Sequence, residues 1–383
     1  MIALPKKHNS ADITIFSVMS ALAQEYGAVN LSQGFPDYPL DDRMQLLLEE
    51  ATRLGFNQYA PMTGLPLLQD QIVLQKNSQL KINIQPNQVT ITPGATYAIF
   101  TALATILNSG DEVIILEPAY DCYLPTIEMN GGVPITIPLN YPDFKVDWER
   151  LKGAISSKTK AIIVNTPHNP TGTIWTQQDW DTLSEILIDK DVFVISDEVY
   201  DQILFDGQKH YSVLQQESLK EKAIAVYSFG KQFHATGWKI GYMIASEKIT
   251  QAIRKVHQFL AFSVNTPGQY AIGKFMEQFP NEDTCSMLEN KRNLLLELLK
   301  DTPFKITNPA AGSYFQIADY NSWQNIPDLE FAKWLTQEIG VAIIPLSAFY
   351  KNATDHHLVR FCFAKKDETL KAAIEKIKSK MNT

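Results

Sequence analysis

Cysteine is scarce in this chain, and the three that occur, Cys122, Cys285 and Cys362, stand far apart with no CxxC pair. That spacing excludes a disulfide framework and a zinc-ribbon site. Reduced thiols in a cytoplasmic protein are the expectation, and no metal site is expected. Long apolar runs are missing too. Val113–Leu116 and Val192–Ile195 are strand-sized, far short of the roughly 18 apolar residues of a membrane span. Met1–Ser10 carries Lys6, Lys7 and His8 but leads into no apolar stretch of signal-peptide length, so no membrane association is expected. Positive charge is in deficit: 34 Lys and Arg against 42 Asp and Glu give a net charge of −8. That balance argues against nucleic acid as the main partner, since phosphate binding needs a dense basic face. There is no GxxxxGK[ST] phosphate loop, no HExxH, no GxSxG and no GxGxxG after a strand.

What is present describes a folded α/β chain. The 383 residues are 45% hydrophobic and 20% charged, enough to bury one large core with a second unit beside it. Val89–Thr92, Val113–Leu116, Val133–Ile137, Ala161–Val164, Val192–Ser196, Ile224–Ser228 and Ile240–Ala245 each read as a buried strand. Amphipathic stretches such as Thr176–Ile188 lie between them. The alternation predicts a mostly parallel seven-stranded sheet with helices on both faces. After about Phe275 the rhythm becomes α+β. Helices are expected at Met287–Leu299 and Asp367–Lys380, and strands near Phe304–Ile306, Ser313–Ile317, Val341–Ile344 and Leu358–Phe363. The expected division is an N-terminal segment 1–42 packing with a small C-terminal domain 276–383, and a large domain 43–275. Lys365, Lys366, Lys371, Lys376, Lys378 and Lys380 read as a solvated helix face, with Asp367, Glu368 and Glu375 interspersed, rather than as a site for an anionic partner.

Polar residues collect at the ends of the predicted strands, where open α/β sheets bind ligands. Thr92-Pro93-Gly94-Ala95-Thr96 turns from a strand into a helix, whose first amides suit an anion such as phosphate; an ordinary strand–helix turn is the alternative. Asn165-Thr166-Pro167-His168-Asn169-Pro170-Thr171-Gly172 is a rigid turn that presents Asn169 as a fixed donor, or is only a turn. Asp197 ends an apolar strand, and a desolvated carboxylate there needs a partner. Ser228-Phe229-Gly230-Lys231 and Gly237-Trp238-Lys239-Ile240-Gly241 add a hydroxyl and two lysines beside glycines. Taken singly each has a bland reading; together they point to one site.

With these residues in view, the sequence resembles the fold-type I, class I/II aminotransferases that use pyridoxal 5′-phosphate. Asn57-Gln58-Tyr59, Asn169-Pro170-Thr171-Gly172, Ser196-Asp197-Glu198-Val199-Tyr200, Ser228-Phe229-Gly230-Lys231 and Val359-Arg360-Phe361 occur in the family's order. Ser32-Gln33-Gly34-Phe35-Pro36-Asp37 and Arg254-Lys255-Val256-His257-Gln258 look like the kynurenine aminotransferase/glutamine transaminase K group. Phe262-Ser263-Val264-Asn265-Thr266-Pro267 is similar to the bacterial methionine aminotransferases.

The resemblance implies a role for each residue. Lys231 would anchor the cofactor covalently and afterwards move the substrate's proton. Asp197 would pair with the ring nitrogen, and Asn169 and Tyr200 would bond the ring hydroxyl. Tyr120 would stack on the ring, with a core aromatic as its bland alternative. Gly94, Ala95, Thr96, Ser228 and Lys239 would hold the phosphate, Lys239 standing where many relatives have arginine. Tyr59 would reach the phosphate of the neighbouring subunit, which implies a homodimer. Arg360 would grip the substrate α-carboxylate, supported by Asn169 and by the backbone of Gly34. Phe16, Tyr59, Tyr120 and Phe262 would meet the substrate side chain. The implied activity is transfer of the α-amino group of methionine, glutamine or aromatic amino acids to a 2-oxo acid. A carbon–sulfur β-lyase acting on cystathionine or cysteine conjugates shares nearly the same motifs. A cofactor-binding transcriptional sensor is the more distant rival.

Overall fold

The computed structural model describes residues 6–8, 13–280 and 283–381. Among these residues twelve strands run in chain order: β1 Val29–Asn30, β2 Val89–Thr92, β3 Glu112–Glu117, β4 Val133–Pro138, β5 Thr159–Asn165, β6 Phe193–Asp197, β7 Ala223–Ser228, β8 Gly241–Ala245, β9 Phe315–Asp319, β10 Val341–Ala342, β11 Ile344–Pro345 and β12 Leu358–Cys362. Seven of them form one sheet in the order β2-β8-β7-β6-β5-β3-β4. Every neighbouring pair in it is parallel except those made by β8, which is antiparallel to both β2 and β7. The seven strands anticipated from the sequence are all present in this sheet, each within two residues at either end.

The strands are apolar without interruption because both faces of the sheet are covered. The two-residue period of a strand assigns alternate side chains to opposite faces. Val113, Ile115, Ala161, Ile163, Ile224 and Val226 pack against the helices Ala95–Ile106, Tyr123–Met129 and Glu247–Leu260. Ile114, Leu116, Ile162, Val164, Ala225 and Tyr227 join the other core with Trp180, Leu183 and Leu187 of the helix Gln177–Leu187. That helix begins where Thr176 and Asp179 form a reciprocal capping box, one residue inside the expected start.

A second structural layer forms around β9, β11 and β12, an antiparallel sheet in the order β11-β12-β9. β1 pairs in parallel with β10, and Leu31 O accepts from Cys362 N, so the segment after the helix Ile15–Glu25 is stitched to the C-terminal strands. The expected strand 341–344 divides in two: β10 pairs with β1, whereas β11 pairs with β12, and Ile343 lies between them. The expected strand at Phe304–Ile306 is reduced to one bridge, Lys305 with Asp319. Pro303 and Pro309 flank it, and Phe304 packs on Trp323, Phe331 and Phe361 rather than extending a ladder. The helix Thr266–Gln278 runs through position 275.

The C-terminal lysines divide. Lys366, Lys371, Lys376 and Lys380 are exposed and Lys378 half-buried, as a solvated face requires. Lys365 is not part of that face: it is 3% exposed and donates to the carbonyl of Phe35 at 2.8 Å. Nearby, Asp37 accepts from Lys366 N and Thr369 Oγ1.

Beneath the site edge, Lys76 of the helix Pro66–Leu80 forms a buried ion pair with Asp201, its Nζ 4.0 Å from the Tyr227 ring centroid. Removing one partner of such a pair strands the other charge. Lys76→Met is expected to cost about 3–5 kcal/mol, and adding Asp201→Asn should recover most of it. Urea denaturation of the two variants checks this; an unchanged midpoint for Lys76→Met would show that Gln202, which also donates to Asp201, satisfies the carboxylate alone.

Candidate active site

The carboxyl ends of the parallel strands lie at one edge of the sheet. Because β8 is antiparallel, its first residue joins them: Gly241 is opposite both Thr92 and Ser228. A cavity of about 400 Å³ opens there, a size suited to small-molecule ligands. Its wall includes Phe16, Gly34, Gly94, Ala95, Thr96, Tyr120, Asn169, Asp197, Tyr200, Ser228, Lys231, Lys239 and Arg360. Residues from five strand ends and from β12 are thereby brought together across more than 300 positions of sequence.

One end of the cavity has the features that suit an anion. Gly94, at φ 80°, caps the helix Ala95–Ile106, whose first amides face the site. A Cβ on Gly94 would lie 3.3 Å from Lys239 Nζ, so the missing side chain leaves room for the ammonium above the turn. Gly241 is needed for the same approach: a Cβ there would meet Tyr227 O at 2.5 Å and Ala95 N at 3.2 Å. Ser228 stands at the start of the short helix Phe229–Gln232 that carries Lys231.

Asp197 lies on the cavity floor, 4% exposed. Its Oδ2 accepts from Tyr123 Oη at 2.6 Å and its Oδ1 from Val199 N at 3.3 Å. Among the described residues no cation forms an ion pair with it. Burial pushes its carboxyl up to about 6, against the lowering effect of the Tyr123 hydroxyl. Asn165 fixes the backbone around it, donating to Asp197 O at 2.8 Å and accepting from Asn169 N at 2.8 Å. Tyr123 and Asn165 carried no sequence signal for these roles: a tyrosine in an apolar helix reads as core, and Asn165 as part of a turn.

Arg360 presents the opposite case. It is fully buried in an apolar strand, with its guanidinium 3.9 Å from the Phe315 ring centroid and 5.2 Å from that of Phe16. Its Nη1 donates to Asn169 Oδ1 at 2.8 Å and its Nη2 to Ser32 O at 2.9 Å, both neutral acceptors. Its Nε has no hydrogen-bond partner among the described residues. Burial lowers its pKa to about 10. No carboxylate pairs with it among the described residues, so a ligand anion is what would complete it.

Lys231 stands on the wall between these groups. Its Nζ donates to Tyr314 Oη at 2.9 Å and to Gly34 O at 3.4 Å. Burial lowers its pKa to about 8. Gly34 O also accepts from Tyr314 Oη at 2.7 Å. The carbonyl of Gly34 therefore faces the lysine, which leaves only its N–H to meet a carboxylate. Tyr200 is buried edge-on to Tyr314, with centroids 5.1 Å apart, and burial raises its hydroxyl above the ordinary tyrosine range.

Two of the expected residues lie outside this cavity. Tyr59 is 81% exposed and packs edge-on against the exposed Phe262, with centroids 5.4 Å apart. Within one chain neither belongs to the cavity wall. His168 and His234 are also outside the wall; burial lowers each to about 4, keeping both rings neutral.

Comparison with known proteins places this geometry. Residues 26–377 match the family model for aminotransferase class I and II. The chain is 45% identical over 370 residues to a methionine aminotransferase of Escherichia coli, with 95% of each chain covered. It is 34% identical over 408 residues to kynurenine–oxoglutarate transaminase 3 of Rattus norvegicus, covering 97% of this chain and 88% of the relative. The crystal structure of YbdL from Escherichia coli, identified with a methionine aminotransferase function, superposes with a TM-score of 0.96 at 42% identity, covering 99% and 100% of the two chains. With the family matched across nearly the whole chain and the strand-end site in place, the protein belongs to the class I and II aminotransferases and is an aminotransferase of fold type I.

Proposed function

We propose that the cavity holds pyridoxal 5′-phosphate and that the enzyme moves the amino group of methionine, glutamine or aromatic amino acids to a 2-oxo acid. One observation carries the reading: Asp197 and Arg360 are buried charges of opposite sign, and neither forms an ion pair among the described residues. A protonated ring nitrogen answers the first, and an α-carboxylate the second. The phosphate fits the third charged feature, Lys239 above the Gly94 turn and the helix amides. When bound, the cofactor supplies the electron sink that lets an amino acid lose its α-proton.

The chain's own residues do the rest. Lys231 would hold the cofactor aldehyde and, when freed by substrate, would accept and return the α-proton through Nζ. Asp197 would keep the ring nitrogen protonated, with Tyr123 holding its carboxylate in place. Asn169 and Tyr200 would bond the ring hydroxyl, and Tyr120 would stack on the ring. Asn169 also links the two halves of the site, since its Oδ1 orients Arg360. Arg360, with the Gly34 N–H, fixes the substrate carboxylate so that the Cα–H bond faces Lys231.

We further propose a homodimer in which Tyr59 is contributed across the interface, and a cytoplasmic location. Supporting the dimer is an exposed apolar patch of Tyr59, Phe259, Leu260 and Phe262. The functional division into 1–42, 43–275 and 276–383 is likewise retained as a proposal. The lyase and sensor readings have no observation in their favour.

Borohydride reduction of the loaded protein is expected to fix the cofactor on Lys231. The uptake rate of the apoprotein, normalised to a model amine, should have a defined pH profile. Lys231 is nucleophilic only when neutral, so uptake should rise about tenfold per pH unit up to about 8 and then level. Below about 6 it should fall more steeply, as Asp197 loses its charge. A label on another lysine, or a flat profile, would overturn the anchor assignment.

Selectivity follows from the charges on the wall. Among the described residues, its only Lys or Arg side chains are Lys231, Lys239 and Arg360, all assigned above, and Asp121 adds a carboxylate. Methionine or phenylalanine gains by burying apolar surface against Phe16 and Phe35, at about 25 cal/mol per Å². Aspartate brings a second carboxylate with no cation to meet it. We expect kcat/KM for methionine to exceed that for aspartate by at least about 100-fold, or about 2.7 kcal/mol. Equal values in one assay would contradict this.

A further inference from the structure

Tyr314 belongs to none of the motifs above, yet its hydroxyl is the closest hydrogen-bond partner of the reactive amine. Lys231 Nζ donates to Tyr314 Oη at 2.9 Å, and Tyr314 Oη donates to Gly34 O at 2.7 Å. A hydroxyl has one proton. With that proton committed to the carbonyl, only lone pairs face the lysine. The tyrosine is held rigidly, 1% exposed, edge-on to Tyr200 and tilted against Phe315 with centroids 4.8 Å apart. Gly34 is held as well: a Cβ there would lie 2.9 Å from Phe315 Cζ, so its backbone rests directly on the ring.

We propose that Tyr314 is a positioning residue for Lys231: an acceptor fixed on the Gly34 carbonyl, it aims the amine for capture of the cofactor and holds it whenever substrate has displaced it. The inference rests on Lys231 being the cofactor anchor. Because only lone pairs are offered, the hydroxyl favours the ammonium and works against burial, which lowers the amine to about 8. Other groups facing the amine are Asp197 from the end of β6 and Cys362 from β12, which favour the ammonium, and Arg360 from β12 and Lys239 ahead of β8, which oppose it. The Tyr200 ring centroid lies 5.7 Å away. All of these remain when the Tyr314 hydroxyl alone is removed.

The test is pyridoxal phosphate uptake by apoprotein across pH, normalised to a model amine, for wild type, Tyr314→Phe and Tyr314→Gln. The phenylalanine variant should show its midpoint lowered by at least about half a pH unit. The glutamine variant, whose amide can both accept from Lys231 and donate to Gly34, should return toward the wild-type midpoint. A purely structural tyrosine would move yield or thermal stability but not the midpoint. If borohydride labels Lys231 in every variant and the Tyr314→Phe midpoint stays in place, the inference is overturned and the anchor assignment stands. If wild type is labelled elsewhere, the anchor assignment falls. Tyr314→Met supplies the same comparison should the phenylalanine variant not fold.

Discussion

Asp197 and Arg360 are the constraint around which the site is arranged. Each is buried, each is hydrogen-bonded only to neutral groups, and neither has a counterion among the described residues. Taking a charge from water costs several kcal/mol unless it is paired. A fold that carries two such charges in one cavity has spent stability on a ligand of complementary pattern, positive toward Asp197 and negative toward Arg360. Under the proposed reading the ligand is cofactor and amino acid together, and Lys231 is the group on which they exchange. The lowered pKa of the lysine and the raised one of the aspartate have the same cause, burial.

The sheet makes this arrangement possible. Parallel strands deliver Asn165, Asp197 and Ser228 to one edge, and antiparallel β8 returns to that edge with Gly241. The helix Ala95–Ile106 starts there, so its first amides and Lys239 define an anion end. Arg360 arrives from a different sheet. Its coupling to the edge is a single side-chain contact to Asn169 together with the carbonyl of Ser32. Asn169 thus joins the two layers, and its position also depends on Asn165.

Much of this was legible in the sequence, for a physical reason. Fully buried parallel strands are short apolar runs that end abruptly in polar residues, so both the seven strands and the site edge stand out. Asp197, Lys231 and Arg360 are conspicuous as charges at the ends of such runs or within them. The contacts that tune those charges were not legible. Tyr123 meets Asp197 across 74 positions, and Tyr314 meets Lys231 across 83; both tyrosines sit in apolar surroundings where an aromatic residue reads as core. Lys365 was read as solvated because its neighbours are, whereas its partner is a carbonyl 330 positions away. The division of 341–344 depends on which strands lie on either side, and Phe262 is drawn to Tyr59 outside the cavity. Local pattern carries none of these.

A crystal structure of the protein with pyridoxal phosphate and a non-reactive methionine analogue tests the central claim directly. The account predicts the ring nitrogen within hydrogen-bond distance of Asp197, the phosphate on the Gly94 turn beneath Lys239, and the analogue's α-carboxylate on Arg360. A ring turned away from Asp197, or a carboxylate bound elsewhere while Arg360 keeps only its neutral partners, would contradict it.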